Sequence, residues 1–454
     1  MTAVLTAPPR RPGRDFRLFW IGETTSKIGS GVSGVAIPLA AVGVLHASTF
    51  QVGLLTAATW LPWLVVGLPA GAWVDRMPRR PLMVACNLAS MALLLSVPVS
   101  AWLDVLTFWQ LAATALLTGV AGVFFQTAYQ VYLPSLVAPE DLAAGNARMQ
   151  GSESFAQVAG PGLAGAITQV LGVLGGLVAD AASFAVSTLC LLGIRGEEEP
   201  VEPRERTSLG RDILTGLRFV TGDPYLRVFA LFGAVFNLAF TAYQAVLVVF
   251  LVRELRVGEG MVGPLLMGIS VGGVVGAATA TRVAARLGTA RGLLVALFGT
   301  VPFALAIPLT GPGARLALLV AGGLMIGIGT ASSNVIRSSF RQLYTPRELL
   351  GRVSVSMMFL NLGTIPLGGL LGGALGEAAG IRPTLWVMAA TMAASPLLLL
   401  IGPLKSRRDL PGAVAAPEPA GPSVPETDPP STGEDATPRA AAHDRARATA
   451  TDAR

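Results

Sequence analysis

The chain has 454 residues, of which 52% are hydrophobic and only 13% are charged, with a formal net charge of +6. Because a soluble domain is about 25% charged, most of this sequence cannot face water. The arginines stand in short runs between long apolar stretches, which is typical of membrane topology and argues against a basic surface for nucleic acid.

Twelve stretches of the chain are long enough to cross a hydrocarbon core of about 30 Å, which takes about 20 residues. In chain order they occupy residues 17–45, 52–74, 81–103, 107–133, 147–171, 173–195, 225–252, 260–284, 290–311, 315–338, 352–377 and 382–403. The sequence therefore predicts an all-α membrane protein with twelve transmembrane helices. Glycine and proline inside these spans are compatible with that prediction, since both are tolerated in membrane helices.

The spans form two groups of six, separated by a more polar linker. We predict a cytoplasmic arm, a six-helix half, a cytoplasmic linker, a second six-helix half and a cytoplasmic tail, at residues 1–16, 17–195, 196–224, 225–404 and 405–454. The linker should contain an amphipathic helix that lies on the membrane surface or under the bundle, with an apolar face of Leu209, Ile213, Leu217 and Val220. The tail lacks a hydrophobic pattern and is predicted to be disordered.

Arginine is unevenly distributed between the two sides of the predicted bundle. Basic runs occur at the N-terminus, after spans 2, 8, 10 and 12, and in the linker, whereas the other side holds Arg253, Arg256, Arg315 and Arg382. The positive-inside rule places both termini in the cytoplasm, which agrees with an even number of spans. Residues 1–14 have no apolar core before their arginines, so we expect no cleaved signal peptide and a location in the bacterial inner membrane.

The two groups of spans carry a faint internal repeat. A shift of 207 positions aligns Gly53 with Gly260, Arg79 with Arg286, Gly122 with Gly329, Pro139 with Pro346, Leu142 with Leu349 and Gly165 with Gly372. These pairs keep one register and join equivalent spans of the two groups. Two pseudo-symmetric six-helix halves are the layout of transporters whose binding site lies between the halves near the middle of the membrane.

The turn between spans 2 and 3 reads Gly71-Ala-Trp-Val-Asp75-Arg76-Met-Pro78-Arg79-Arg80. Glycine allows two helices to approach closely, and a carboxylate at a helix end can accept hydrogen bonds from the N-terminus of another helix. The stretch resembles the G-x-x-x-D-R-x-G-R-R signature of the major facilitator superfamily, with a proline at the second glycine. The resemblance implies a major facilitator fold and a cytoplasmic gate formed by Gly71, Asp75, Arg76, Arg79 and Arg80. The alternative is a positive-inside stop signal, which needs the arginines but no acid.

Span 5 contains Gly160-Pro161-Gly162-Leu163-Ala164-Gly165. It resembles the G-P-x-x-G-G element that the superfamily associates with exporters, so Gly160, Pro161 and Gly165 imply export. Proline bends a helix and small residues permit close packing, and ordinary packing of this kind is compatible with either transport direction. Residues 124–146 and 216–227 look like the branch that holds enterobactin exporters and macrolide-efflux pumps.

Charged side chains inside a span are costly and are therefore functional candidates. Glu23 and Lys27 are four residues apart in span 1, on one helical face and in the favourable order for pairing. Two interpretations stay open: a proton site whose protonation releases Lys27, or a permanent ion pair near the cytoplasmic boundary. Glu153 in span 5 and Asp180 in span 6 are further proton-coupling candidates, with a solvated position at the cavity mouth and a hydrogen bond between helices as the respective alternatives.

Neutral polar side chains inside the spans are candidates for lining a substrate cavity. About half should face the cavity, and the others should satisfy neighbouring backbone groups. They are Gln126, Tyr129, Gln130, Asn237, Tyr243, Gln244, Asn334 and Asn361.

Motifs of other chemistries are absent from the sequence. It has no G-x-x-x-x-G-K-[ST] phosphate loop and no plausible Ser/His/Asp set, so we expect neither a fused ATP-driven pump nor an enzyme. We expect no cofactor and no metal, with the proton gradient as the energy source. The expected partners are the lipid bilayer and a small-molecule substrate, without nucleic acid, and the resemblance implies a monomer.

These observations together indicate a secondary active transporter. The expected function is proton-coupled efflux, by alternating access, of a small amphiphilic molecule such as a drug, a siderophore or a secondary metabolite. An importer of the same fold and a non-transporting membrane sensor or scaffold stay open as alternatives. A membrane-embedded enzyme is disfavoured, since no reactive constellation is found in the spans.

Overall fold

A computed structural model describes residues 13–74, 76–138, 141–195, 209–405 and 407–412. The chain in these ranges is helical, with turns and short loops between the helices. The α-helices are α1 (Arg14–Leu39), α2 (Thr49–Val65), α3 (Gly67–Val74), α4 (Arg79–Trp102), α5 (Phe108–Tyr132), α6 (Leu142–Leu171), α7 (Val173–Gly193), α8 (Leu209–Gly222), α9 (Pro224–Val249), α10 (Glu259–Leu287), α11 (Thr289–Thr300), α12 (Leu316–Tyr344), α13 (Arg347–Ala378), α14 (Ile381–Ala394) and α15 (Leu397–Ile401). The predicted all-α fold is confirmed.

Ten helical segments in the described ranges are long and apolar enough to cross a membrane. Two predicted spans are not among them. Span 2 is divided into α2 and α3 at Val66. Pro69 lacks the backbone N–H that would bond to the Val65 carbonyl in a continuous helix. Span 5 corresponds to α6, a continuous helix of 30 residues whose first half is rich in polar side chains.

Helix starts in this chain follow ordinary capping chemistry. Ser48 begins α2 with a reciprocal box, since its hydroxyl accepts from the Gln51 backbone N–H at 3.3 Å and its own N–H donates to Gln51 Oε1 at 2.7 Å. Asp223 begins α9, and its Oδ1 accepts from two backbone N–H groups at 2.9 Å just after Pro224.

Unusual backbone geometry recurs at nearly constant spacing along the chain. The continuations of α1 and α9 are π-helical, at Ala40–Val44 and Phe250–Glu254. Residues with positive φ follow the same period, in the pairs His46 and Arg256, Asp104 and Gly313, and Gly172 and Gly380, which are 210, 209 and 208 positions apart. The backbone therefore repeats at a spacing of 208–210 residues, close to the shift of 207 positions in the sequence but not in the same register.

The bundle has two ends, which we name by what lies there. The linker face is the end at which α1 begins and α8 lies, and the far face is the end that carries the turns at residues 45–48 and 255–258. Helix α8 packs against the start of α13, where Gly216 leaves no room for a side chain: an added Cβ would lie 2.7 Å from the carbonyl carbon of Arg352. The predicted amphipathic helix is therefore observed against protein, with Val220 buried. Residues 196–208 and the side chains of Leu209 and Ile213 lie outside the described part.

The first residues of the predicted tail are ordered against α11. Asp409 Oδ1 accepts from the Thr289 backbone N–H at 2.9 Å, and the Arg408 carbonyl accepts from the next two N–H groups at 3.1 and 3.2 Å. The prediction of disorder is therefore wrong for residues 407–412, because they cap the N-terminus of a helix. Residues 413–454 lie outside the described part of the chain.

Candidate functional site

A cavity of about 500 Å³ opens among α1, α5 and α6. It extends along the first turns of α6, which begin at the linker face. Its wall combines Lys27 and Glu153 with the neutral residues Gln126, Tyr129 and Gln130. The structure thus brings together three predicted cavity residues of span 4 and two predicted proton-coupling residues from spans 1 and 5.

An ion pair crosses this cavity wall from α1 to α6. Lys27 Nζ donates to Glu153 Oε2, and the other carboxylate oxygen of Glu153 accepts from Gln157 at 3.3 Å. The ammonium also lies 5.9 Å from the ring centroid of Tyr129. The expected pairing of Lys27 with Glu23 is not what the described structure shows, because the long lysine stem reaches a carboxylate on the neighbouring helix.

Glu23 lies one turn away on α1 in a different environment. Its side chain is only 4% exposed, and its Oε1 is buried without a hydrogen-bond partner among the described residues. A buried carboxyl group with an unsatisfied oxygen is costly, and such groups in membrane helices commonly belong to proton or substrate pathways. The local unit thus has two carboxyl groups, Glu23 and Glu153, around one amine.

Asp180 has a different setting on α7. It is 2% exposed, its Oδ1 accepts from the Ser183 hydroxyl at 3.0 Å, and it packs against Gly29 of α1. An added Cβ at Gly29 would lie 2.5 Å from Asp180 Oδ1, so the glycine makes room for the carboxyl group. These are the contacts of a polar group between two helices, and Asp180 is not among the described residues that line the cavity.

Helices α9, α12 and α13 hold a second polar cluster. Asn237 on α9 donates to Asn361 Oδ1 on α13 at 3.0 Å, and the Asn361 amide donates in turn to the Met357 carbonyl at 2.7 Å. Asn334 on α12 is exposed and accepts from Arg337 Nη2 at 2.7 Å. Three predicted cavity residues therefore belong to one small region where α9, α12 and α13 approach each other.

Two neighbouring predicted cavity residues differ in their exposure. Gln244 is exposed, but Tyr243 is 2% exposed and its hydroxyl is buried without a described partner. The expectation that Tyr243 faces a cavity is not met in the described structure, because its side chain belongs to the buried core that also contains Ala239 and Val246.

Arg337 was missed by the sequence analysis although a signal was present. It lies inside predicted span 10, and the rule that charged residues within a span are functional candidates applies to it as it does to Glu23. In the structure its guanidinium lies 5.0 Å from the ring centroid of Phe232 and bonds to Asn334.

The predicted gate lies at the linker face, and Asp75 is outside the described residues. Arg80 donates from Nε and Nη2 to the carbonyls of Leu191 and Leu192, both at 2.7 Å, and so caps the end of α7. Gly71 has no neighbouring helix within 4 Å of an added Cβ, so the close approach expected at this glycine is not made in this conformation. The cavity lined by Lys27 and Glu153 opens at the same face.

The exporter-type element of α6 lies at tight helix crossings. An added Cβ at Gly160 would lie 2.7 Å from the Cα of Gly31 in α1, and one at Gly263 of α10 would lie 2.6 Å from the Cα of Gly165. The Pro161 carbonyl oxygen is nearer still to that second position. Pro161 and Gly165 thus lie where α6 and α10 are in backbone contact.

A second crossing of this kind joins α2 and α13. An added Cβ at Gly53 would lie 2.8 Å from the Cα of Gly373, and one at Gly369 would lie 2.9 Å from the Gly53 carbonyl oxygen. Two polar bonds accompany the crossings: Arg253 donates to the Ala47 carbonyl, and the Phe50 backbone N–H donates to Glu377 at 3.3 Å. The far face is therefore closed by contacts between the first and last parts of the bundle.

Comparison with known proteins identifies the family. A family model described as transmembrane secretion effector matches residues 6–420. The chain belongs to this family of the major facilitator superfamily. It is a multi-pass transporter of the bacterial inner membrane and not an enzyme, which confirms the sequence-based assignment.

Two similar proteins carry names of exporters. The multidrug efflux pump Tap of Mycolicibacterium fortuitum is 28% identical over 391 residues, which cover 84% of this chain and 93% of the pump. The enterobactin exporter EntS of Escherichia coli O139:H28 is 28% identical over 398 residues, which cover 86% of this chain and 90% of the exporter. Efflux relatives therefore match most of this chain over most of their own length.

Solved structures show the same fold. The inward-facing structure of a bacterial homologue of the iron transporter ferroportin has a TM-score of 0.70 at 18% identity and covers 87% of this chain and 99% of its own. The outward-facing structure of such a homologue has a TM-score of 0.56 at 17% identity, with 87% and 100% covered.

Proposed function

We propose that this transporter is a proton-coupled exporter of a small amphiphilic molecule and that it works by alternating access. The observation that carries the proposal is the combination of a polar cavity open at the linker face with a tightly packed far face. The wall of that cavity holds the Lys27–Glu153 pair, with the buried carboxyl group of Glu23 one turn away. The names of the efflux relatives support export as the direction.

The architecture proposed for this cycle is twelve transmembrane helices in two pseudo-symmetric six-helix halves. The recurrent π-helical turns and the positive-φ pairs 208–210 positions apart support this division. In this scheme α2 and α3 form one broken span, and α14 and α15 form another that is interrupted at Pro396. The crossings of α6 with α10 and of α2 with α13 are then contacts between the halves.

We assign the linker face to the cytoplasm, with both termini on that side. The arginine distribution supports this orientation, since the linker-face turns carry most of the basic residues. The conformation is then inward-open, with the periplasmic side closed. The higher TM-score to an inward-facing than to an outward-facing relative supports the same assignment.

The coupling we propose depends on charge balance in the cavity wall. Two carboxyl groups around one amine give a neutral unit only when one proton is bound. A net charge is costly in a partly buried site, so the unit should bind and release a single proton as its access to water alternates. Glu23 is the proposed carrier of this proton because Glu153 is already paired with Lys27.

The test is compound-dependent proton movement in inverted vesicles that contain the protein and a pH-sensitive dye. After energisation, lipophilic drugs, macrolides and catecholate siderophores are added one at a time. A compound that dissipates the pH gradient with the wild type should fail to do so with Glu23→Gln. Glu254→Gln is the matched control, because this glutamate pairs with Arg382 at the far face and should leave the response unchanged.

Each failure of this test has a distinct meaning. A response that survives Glu23→Gln would overturn the assignment of the proton to Glu23 and would direct attention to Glu153. Accumulation against the proposed direction in oriented vesicles would favour an importer. Absence of flux for every compound, together with loss of a cellular phenotype on deletion of the linker or tail, would favour a sensor or scaffold.

A further inference from the structure

The last third of α12 carries two arginines one turn apart, Arg337 and Arg341. Both lie within the apolar helical segment Gly313–Tyr344, and Arg337 precedes the end of α12 by seven residues, or about 10 Å along the axis. The Nε atoms of both guanidinium groups are buried without a hydrogen-bond partner among the described residues. Two donors are therefore unsatisfied in a segment where water is scarce.

No acidic side chain compensates these cations in the described part of the chain. Neither arginine of α12 forms an ion pair with a described residue, in contrast to Lys27, which pairs with Glu153, and Arg382, which pairs with Glu254. Tyr344 lies one turn beyond Arg341, and its hydroxyl donates to Asp223 at 2.7 Å. The same carboxylate also accepts from the N-terminus of α9, so Asp223 is already engaged by other donors. Like charges at this spacing repel each other, and an unpaired charge in such a place is costly. A bound anion can supply the negative charge that the described residues do not.

The surroundings of Arg337 hold its guanidinium in place. The group lies over Phe232 at 5.0 Å from the ring centroid, and its Nη2 bonds to Asn334 on its own helix. An added Cβ at Gly233 would lie 3.4 Å from Arg337 Nη1 and would collide with Asn361 Oδ1. Gly233 thus leaves space for polar groups from two other helices. Packing therefore fixes the position of the Arg337 guanidinium, unlike that of a freely extended surface arginine.

One side of this arrangement is open. Asn334 is exposed, and Arg337 and Arg341 are half-buried although their Nε atoms are not accessible. Arg341 is nearer the helix end and could extend its charge towards the interface, as long basic side chains do. Arg337 is a full turn deeper and is fixed between an aromatic ring and an amide. An approaching anion would meet Arg341 first and Arg337 next.

We propose that Arg337 and Arg341 form an anion-binding subsite for the negatively charged group of the exported molecule. This inference rests on the proposed function and narrows its substrate to anionic amphiphiles, whose carboxylate, sulfonate or phenolate oxygens can accept from both guanidinium groups. Planar guanidinium donors suit such oxygens because they give charge-assisted, directional hydrogen bonds. The proton-carrying unit on α1 and α6 lies on other helices, so proton and substrate need not compete for one residue.

The test compares two dyes that differ only in a sulfonate group, 8-anilinonaphthalene-1-sulfonate and N-phenyl-1-naphthylamine. Their dissociation constants are measured by fluorescence with the full chain in phosphatidylcholine nanodiscs, after subtraction of protein-free nanodiscs. The wild type should bind the sulfonate more tightly than the neutral dye. Arg337→Gln and Arg341→Gln should each weaken sulfonate binding about tenfold, the order expected for loss of a charge-assisted bond, and leave the neutral dye unchanged.

Controls separate charge from folding. Arg315→Gln removes an exposed arginine at the other end of α12 and should keep the preference, and Arg337→Lys should restore part of it. Equal binding of both dyes by the wild type, or a preference that persists in the double Gln variant, would overturn the proposal. A preference abolished by phosphatidylglycerol in the nanodiscs would assign the site to lipid headgroups and overturn its assignment to substrate.

The binding assay is independent of transport. Absence of flux with an intact sulfonate preference would refute the exporter and leave the anion subsite standing. Flux without any sulfonate preference would refute the subsite and leave the exporter standing.

Discussion

The glycine crossing of α6 and α10 gives the sharpest test of the proposed conformational cycle. Replacing Gly263 by alanine places a Cβ 2.6 Å from the Cα of Gly165, where an ordinary contact needs at least 3.4 Å. The opposing atoms are backbone and cannot rotate away, so the helices must separate by about 0.8 Å or more. Overpacking of this kind costs about 1–3 kcal/mol. The cost applies only while the far face is closed, so the population of that state should fall by about 5- to 150-fold relative to the alternative.

Gly273→Ala is the matched control for this substitution. It lies on the same helix, α10, and an added Cβ there meets nothing within 4 Å. Both variants gain the same helix propensity from glycine to alanine, about 1 kcal/mol, so their difference isolates the crossing. Apparent melting temperatures of both variants show whether either substitution disturbs folding.

Distances between spin labels report the populations of the two conformations. Labels at Val105 and Leu309, which are exposed at the far face, should move apart in Gly263→Ala, and labels at Met77 and Leu343 at the linker face should approach each other. The native cysteines are replaced beforehand. If both distance distributions match those of Gly273→Ala in a folded protein, backbone contact at this crossing does not hold the far face closed, and the reasoning is refuted.

Two further substitutions test packing within the bundle. Arg80→Ala removes two bonds to the last carbonyls of α7, so the apparent melting temperature should fall by the equivalent of about 1–3 kcal/mol, and an unchanged value would show that this end of α7 needs no cap. Asn361→Leu leaves the Asn237 amide without its acceptor and should cost about 1–3 kcal/mol, whereas the double Leu variant should recover most of that loss in the same melting assay.

Much of the fold follows from composition. The long apolar runs predict where helices lie, since a chain in a membrane must satisfy its backbone bonds within each segment. Helix α1 begins at Arg14, close to the predicted start of span 1, and α13 contains all of predicted span 11. The hydrophobic pattern does not predict the interruption at Val66, which depends on a single proline. It does not predict the π-helical turns either, because they depend on local backbone hydrogen bonds.

The candidate site was predictable only in part. Gln126, Tyr129 and Gln130, which were candidates as neutral polar side chains inside a span, line one cavity. The partner of Lys27 was not predictable, because Glu153 is distant in sequence and reaches it only through the packing of α6 on α1. Tyr243 was misassigned since α9 is apolar nearly all round, so its pattern does not distinguish a buried face from a cavity face.

The repeat shows most clearly how a weak sequence signal acquires physical meaning. The aligned glycines Gly53 and Gly260 are each found at a crossing, the first against Gly369 and Gly373 and the second on α10 beside α6. An added Cβ would lie 2.4 Å from the Gly369 carbonyl oxygen at Gly53 and 2.2 Å from the Gln169 side chain at Gly260, so both positions leave little room for a larger residue.

The two faces of the bundle are held by different physical interactions. The far face is closed mainly by backbone contact between small residues, whose energy depends on distance over a few tenths of an ångström. The linker face carries Arg76, which is exposed, and Arg80, which is tied to α7, so its closure has to involve charged groups in contact with water. In the proposed cycle, opening the far face and closing the linker face exchanges backbone contacts for contacts of charged groups. The free-energy difference between the two conformations then changes whenever a charge is bound or released at the linker face. In the proposed alternating-access cycle, binding of a proton at Glu23 or of an anion at Arg337 would therefore shift the conformation without a direct change at the glycine crossings.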